Sequence, residues 1–235
     1  MRVLLQTAKG ESSRLSPEPD GAPEGRLCID LCSGLGGFSQ AFVDAGWKVW
    51  RYDSDPAFKD VPRTVIEDIT KPDWEQRYEN GLRPLVVLAS PPCERFSIAM
   101  PYWPQHGIGR ALTIVGACLE VIVALKPKYW CLENPKGRLR WFLGAPPHSV
   151  KLSDYGHTQS TQGGKMRKPY KPTDLWGNIP FPLLQEIRTM DAQKGGTGFT
   201  REARAERARM PYGLSKAILE AVSSPDAPDK AETTA

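Results

Sequence analysis

Between residues 26 and 135, short apolar or β-branched runs alternate with stretches of helical period. They read RLCIDL, FSQAFVDAG, VWRYD, TVIEDI, LVVLAS, the long IGRALTIVGACLEVIVALK, and YWCLEN. Short apolar runs with little polar alternation mark strands buried on both faces, and their alternation with helices predicts a parallel sheet covered on both sides. Ligands of such sheets sit beyond the carboxyl ends of the strands, so the residues closing each run are the first place to look for chemistry. Beyond about residue 145 the pattern weakens into HSVKLSDYGHTQ, a Gly- and Lys-rich segment, KPTDLWGNIPF and GGTGFT. Two further strands are expected there, as a hairpin with a mobile loop. REARAERARMPYGLSKAILEAV predicts a C-terminal helical region interrupted near Pro211.

The remaining sequence narrows the class. Residues 1–25 and 223–235 are rich in Pro, Ser, Gly, Ala and acid and read as disordered, leaving a single α/β domain over 26–222 in a chain of 235 residues. No apolar run is read as approaching the length of a membrane span, which excludes a membrane protein at this stage. Five cysteines, at 28, 32, 93, 118 and 131, are odd in number and lack paired CxxC spacing. They point to a reducing cytoplasm, with no structural disulfide and no metal. The net charge of +4 conceals an asymmetry: residues 27–125 carry 9 basic and 12 acidic side chains, residues 126–222 carry 17 and 8. A basic second half suits a polyanionic partner, although solvated Lys and Arg produce similar excesses.

The strand ends carry the chemistry. Asp30, Cys32, Ser33, Gly34, Leu35, Gly36, Gly37, Phe38 and Ser39 bridge the first strand and the first helix. Glycines there admit close backbone approach, and the helix N-terminus offers N–H groups; nicotinamide, flavin and S-adenosylmethionine all fit. The second strand ends in Asp53, placed to hold ribose hydroxyls, or else an acidic loop residue. The third ends near Asp68-Ile69, where a carboxylate can accept from an adenine amine. The fourth ends Ser90-Pro91-Pro92-Cys93; two prolines fix two φ angles and hold the thiol at the ligand edge. Cys28, Cys118 and Cys131, within apolar runs, read as inert packing. The fifth strand ends Glu133-Asn134-Pro135, bringing to the same edge a carboxylate whose desolvation suits proton donation, or alternatively a turn cap.

Taken in order, DLCSGLGGFS, Asp53, Asp68-Ile69-Thr70, PPC followed by Phe-Ser, and Glu133-Asn134 resemble the cytosine-C5 DNA methyltransferase family over roughly residues 26–140. The resemblance implies a Rossmann-like, seven-stranded, mostly parallel sheet with helices on both faces, S-adenosyl-L-methionine as cofactor, and a flipped-out DNA cytosine as substrate. It implies Cys93 as the nucleophile adding to C6 and Glu133 as the residue protonating N3. Cys32 through Ser39 would line the methionine part, Asp53 with Ser54 the ribose, and Asp68 with Ile69 the adenine, while Asp30, Ser90 and Pro91 complete the cofactor set. Arg95 and Ser97, after the nucleophile, fall to the nucleic acid.

The chain departs from the family's pattern at Glu94 and Pro135, where Gln and Val usually stand. In place of a Gln-x-Arg-x-Arg motif it offers Gln162-Gly-Gly-Lys165-Met-Arg167-Lys168, leading to Lys171 and similar to a variant of small phage-type methyltransferases. Arg167 is the residue assigned to the cytosine edge, and Lys165, Lys168 and Lys171 to the DNA backbone. A minimal recognition segment near 157–200 implies relaxed specificity, with Trp103 or His106 contributing, or a protein partner supplying recognition surface. The same chemistry on RNA or a free nucleotide, and a catalytically silent binding module, are the rival readings.

Overall fold

The computed structural model describes residues 26–97, 107–157, 159–160, 166–167, 171–180 and 200–224. Residues 1–25, the tail from 225 and much of the expected recognition segment lie outside the described residues, as do Trp103, His106, Lys165 and Lys168. The elements in chain order are β1 (Leu27–Leu31), α1 (Gln40–Asp44), β2 (Lys48–Asp53), β3 (Thr64–Ile66), α2 (Trp74–Glu79) and β4 (Val86–Ala89). They continue with α3 (Ile108–Leu125), β5 (Tyr129–Pro135), α4 (Arg140–Leu143), β6 (His148–Lys151), β7 (Gln159–Ser160), β8 (Met166–Arg167), β9 (Pro172–Gly177), α5 (Arg201–Ala208) and α6 (Tyr212–Ser223).

Seven strands form one sheet in the order β3-β2-β1-β4-β5-β9-β6. The first five are mutually parallel, β9 runs antiparallel to β5, and β6 antiparallel to β9, so one strand of seven is reversed. This is the mostly parallel α/β sheet that the apolar runs predict. The expected late hairpin is corrected in one respect. β6 and β9 do pair antiparallel, but the chain between them carries a second, two-stranded sheet of β7 and β8.

Burial explains why these strands read as continuous apolar runs. Along β1, Cys28 packs into one hydrophobic cluster with Phe42, Trp47, Leu214 and Ile218, while Ile29 and Leu31 enter the other with Trp74, Val121 and Leu125. β4 divides the same way, Val86 and Leu88 to the first cluster, Val87 and Ala89 to the second. A side-chain period of two with both faces covered demands apolar residues at every position. Each such aliphatic side chain stabilises the fold by about 1.5–3 kcal/mol. α1 packs with α6 on one face, α2 with α3 on the other. Pro211, in extended conformation at the N-cap of α6, separates it from α5 at the predicted interruption.

α3 corrects the reading that no apolar run is span-length. Its 18 residues have a mean hydropathy of 2.0 and are long and apolar enough to cross a membrane. Arg110 and Glu120 break the run to the eye without lowering the average enough to matter. In this fold the apolarity serves the core: Val115, Ala117, Cys118, Val121, Ile122 and Leu125 are buried. Val123 is the large apolar side chain of α3 that stands mostly exposed, at 73%.

Candidate active site

The carboxyl ends of the parallel strands open into a cavity of about 590 Å³, within the range of small-molecule and cofactor sites. One side is the turn after β1. Cys32 leaves the strand with φ 54°, Ser33 N–H donates to the Tyr52 carbonyl at 3.1 Å, and Gly36 N–H closes onto the Ser33 carbonyl at 2.8 Å. The Gly34 N–H donates to Asp53 Oδ2 at 2.9 Å, so the acid ending β2 orders the turn that it faces. Asp53 Oδ1 accepts from Asp55 N–H at 2.9 Å, and burial pushes the Asp53 carboxyl above its ordinary range. Asp68 and Ile69 form the next part of the wall. Bonds from the Thr70 hydroxyl and N–H, with Lys71 at 3.7 Å, hold Asp68 below its ordinary range.

Cys93 and Glu133 line the same cavity from adjacent strands. β4 pairs with β5 in parallel register, Ala89 beside Leu132, and the two strands release their chemical groups at one edge. Asn134 Nδ2 donates to the Pro91 carbonyl at 3.0 Å and ties the two exits together. Phe96 and Ser97 N–H groups both donate to the Cys93 carbonyl at 2.9 Å, turning the chain just past the thiol. Burial pushes Glu133 up to about 7, with Lys171 opposing and Asp174 adding to the rise. Burial pushes the Cys93 thiol up to about 11, helped by Glu133 and Glu94 and opposed by Lys171. Glu94 therefore disfavours the thiolate, as its place beside the thiol suggests. Glu133 can carry a proton near neutral pH, and the thiol rests protonated until something in the cavity changes its surroundings.

Most of the predicted cofactor set is brought together here: Cys32, Ser33, Gly34, Leu35, Gly37, Phe38, Asp53, Ser54, Asp68, Ile69, Ser90 and Pro91 all border the cavity. Asp30, Gly36 and Ser39 lie behind it. Asp30 is fully buried and accepts from Ser39 Oγ at 2.7 Å. The buried Arg51 guanidinium donates to Ser39 Oγ, the Gly36 carbonyl, Gln40 Oε1 and the Pro62 carbonyl at 2.9–3.0 Å. Gly36, at φ 71°, admits no side chain, since a Cβ there would lie 2.5 Å from the guanidinium.

Lys171 also borders the cavity, close enough to act electrostatically on both Cys93 and Glu133 rather than serving only as a backbone contact. Arg95 is exposed next to Gly107, and Ser97 pairs with Gly137. Arg167 lies on β8, but its side chain lies outside the described residues. Sequence reading missed Arg51, whose partners come from separate segments, and Phe58; Arg201, Ala205, Ala208, Arg209 and Met210 close the cavity from the far end of the chain. Arg201 pairs with Asp55, and Arg209 with Glu206 at 3.1 Å.

Four buried side-chain oxygens on the cavity wall, Ser33 Oγ, Glu67 Oε2, Ser90 Oγ and Glu133 Oε1, have no hydrogen-bond partner among the described residues. Buried polar atoms without partners are costly, and here they face a space that a polar ligand would fill.

Comparison with known proteins gives a consistent picture. Residues 27–140 match the model of the C-5 cytosine-specific DNA methylase family. The chain is 26% identical over 223 residues to a candidate DNA (cytosine-5)-methyltransferase of Frog virus 3 (isolate Goorha), covering 82% of this chain and 98% of the viral protein. It is 30% identical over 118 residues to the type II methyltransferase M.HgiGI of Herpetosiphon aurantiacus, covering 45% of this chain and 87% of that one. Among solved structures, it is similar to a candidate DNA modification methyltransferase encoded within an E. coli prophage, with 21% identity and a TM-score of 0.44; 64% of this chain and 46% of that one are covered.

Proposed function

The chain belongs to the C-5 cytosine-specific DNA methylase family, and on that premise we propose that it methylates C5 of cytosine in DNA, with Cys93 as nucleophile and Glu133 as the acid at N3. The observation that carries this reading is the convergence of a thiol and a protonatable carboxylic acid, from adjacent strands, on one cavity that also holds the Gly-rich turn and Asp53.

The cavity fits the cofactor by its chemistry. Asp53 suits two ribose hydroxyls, Asp68 an adenine amine between Ile69 and Phe58, and Ser33 with the turn N–H groups an amino-acid moiety. S-adenosyl-L-methionine, when bound, supplies an electrophilic methyl group.

Cytosine C5 is a poor nucleophile until the ring is activated. The Cys93 thiol first gives up its proton to solvent; the thiolate Sγ then adds to C6 while Glu133 gives its proton to N3, which leaves an enamine with electron density at C5. After C5 is alkylated, loss of the C5 proton to a base re-forms the C5–C6 double bond and expels the Cys93 thiolate, and N3 returns its proton to Glu133. Both ring edges must be reached at once, so a cytosine in a duplex has to leave the stack. Lys171 offsets the charge that develops on Cys93.

The test uses methyl-tritiated S-adenosyl-L-methionine and duplex DNA carrying 5-fluorocytosine, whose C5 fluorine cannot leave as the proton does. A labelled protein–DNA band on a denaturing gel, absent for Cys93→Ser, supports donor, acceptor and nucleophile together. Absence of a band from a protein that binds S-adenosylhomocysteine overturns DNA as the substrate, and tRNA and dCMP become the acceptors to assay.

A further inference from the structure

α5 and its link to α6 bring side chains from the end of the chain to the Gly-rich turn after β1. Arg201, Ala205 and Ala208 all border the cavity, and at that spacing they share one face of the helix. The two alanines leave open the space that longer side chains would fill. The link itself sits on Gly37. A Cβ there would lie 2.5 Å from the Met210 carbonyl oxygen and 2.8 Å from Arg209 Cγ, so the contact depends on glycine. Arg209 N–H donates to the Ala205 carbonyl at 2.9 Å, which fixes the backbone from which this side chain leaves.

Among the described residues the cavity is bordered by three cations, Lys171, Arg201 and Arg209. Lys171 acts on Cys93 and Glu133, and Arg201 pairs with Asp55 next to Ser54. Arg209 is the one that packs on the Gly-rich turn. Its Nη2 donates to Glu206 Oε1 at 3.1 Å, and Glu206 does not border the cavity. Its Nε is buried with no hydrogen-bond partner among the described residues. An orphaned donor on a charged group is costly, and a guanidinium offers its donors as a planar fork. The group that fits such a fork is a carboxylate, which accepts two parallel N–H bonds from it. The turn beneath Arg209 is the wall assigned to the methionine part of S-adenosyl-L-methionine, and that part ends in a carboxylate.

We propose that Arg209 holds the carboxylate of the cofactor's methionine part, and so selects a nucleoside that carries an amino acid over one that does not. This rests on the reading that the cavity takes S-adenosyl-L-methionine. Arg209 acts in binding, and plays no part in proton or methyl transfer.

The test is calorimetry on the full chain with S-adenosylhomocysteine and with its decarboxylated analogue, which has a hydrogen in place of the carboxylate. Wild type should bind S-adenosylhomocysteine about tenfold or more tightly than the analogue, as a hydrogen-bonded charge pair requires. Arg209→Met keeps an aliphatic stem against Gly37 and loses the charge. It should bind the analogue as wild type does and show no preference for S-adenosylhomocysteine. Arg209→Lys, a point charge without the fork, should keep part of the preference, and it carries the comparison if the methionine variant fails to fold. Glu206→Gln leaves the guanidinium in place and should bind S-adenosylhomocysteine at least as tightly as wild type.

A wild-type protein that binds the two ligands equally overturns the proposal without any variant. So does an Arg209→Met protein that keeps the full preference, or one that is folded by circular dichroism and loses affinity for both ligands alike, which would make Arg209 a support of the turn alone. If the wild type binds neither ligand, the cofactor reading itself fails and takes the proposal with it, a result that none of the other outcomes imitates.

Discussion

Asn134 donates from Nδ2 to the Pro91 carbonyl at 3.0 Å, and that bond ties the strand exit bearing Glu133 to the loop bearing Cys93 close to both groups. Asn134 is fully buried, and proline residues on the other side leave the loop few ways to relax. Replacing Asn134 with Ala orphans the Pro91 carbonyl, at a cost of about 1–3 kcal/mol in stability. It also frees thiol and carboxyl to drift apart, and a displacement near 1 Å costs about a hundredfold in rate. The expected result is a large fall in kcat for methyl transfer with S-adenosylhomocysteine affinity retained by calorimetry. A variant with wild-type kcat would show that the tie is not needed.

Glu133 is also the leading charge holding the Cys93 thiol at about 11, after burial itself. In Glu133→Gln that charge is gone and burial is not, so the thiol should titrate below 11 while remaining above its ordinary 9.0. The measurement is the pH dependence of Cys93 alkylation by iodoacetamide, followed on its own peptide by mass spectrometry because Cys32 also borders the cavity. In the wild type, protonating Glu133 relieves the thiol in the same way, which couples the acid's readiness to the nucleophile's. An unmoved midpoint in the variant would disconnect the two groups.

The same carboxyl predicts a stability signature. Its folded value near 7 lies above the ordinary 4.5, so the folded state binds the proton more tightly. Above pH 7 the buried carboxylate is ionised and destabilises the fold. The penalty fades as pH falls from 7 to 4.5 and is absent below that window. Glu133→Gln removes it and should be more stable than wild type at pH 8, by on the order of 3 kcal/mol. The difference should vanish near pH 4. His157, buried and pushed down to about 4, destabilises both proteins alike in acid and cancels in the comparison. Urea titrations of both proteins at several pH values test this; a pH-independent difference would mean that Gln acts by packing alone.

Cys93, Glu133, Asp53 and Asp68 were legible in the sequence because a parallel sheet buried on both faces writes each strand as an apolar run. The residues that follow such a run then come to the ligand edge. Arg51 was not legible for the converse reason. Within VWRYD it looks like an outward-facing residue of an alternating strand, and nothing local announces that Asp30, Ser39, Gly36 and Pro62 converge on it. α3 misled through its two charges, which interrupt the eye more than they lower its hydropathy. Lys171 was assigned by composition to a basic loop, whereas its place just before β9, which pairs with β5, sets it at the cavity beside Glu133.

Arg51 therefore offers a further test, of the support under the cofactor turn. Its guanidinium holds the Gly36 carbonyl and the Ser39 hydroxyl, and lowers Asp30 against the burial that raises it, leaving the carboxyl at about 6. Arg51→Met removes four hydrogen bonds and leaves Asp30 buried beside no cation, a loss of about 3–5 kcal/mol. Without the cation the folded Asp30 value climbs above 6, so the added penalty is full at pH 8 and mostly relieved by pH 5, where the acid is protonated with or without its partner. The deficit relative to wild type should shrink over that range without closing, because the hydrogen bonds remain lost. Arg51→Lys should recover little, since an ammonium lacks the planar fork that reaches Ser39, Gly36 and Pro62 together. In both variants the turn loosens, and S-adenosylhomocysteine affinity should fall about tenfold or more. Denaturant melts at pH 5 and 8 with calorimetry at pH 8 decide the matter: a lysine variant equal to wild type in both would reduce Arg51 to a buried charge of no special geometry.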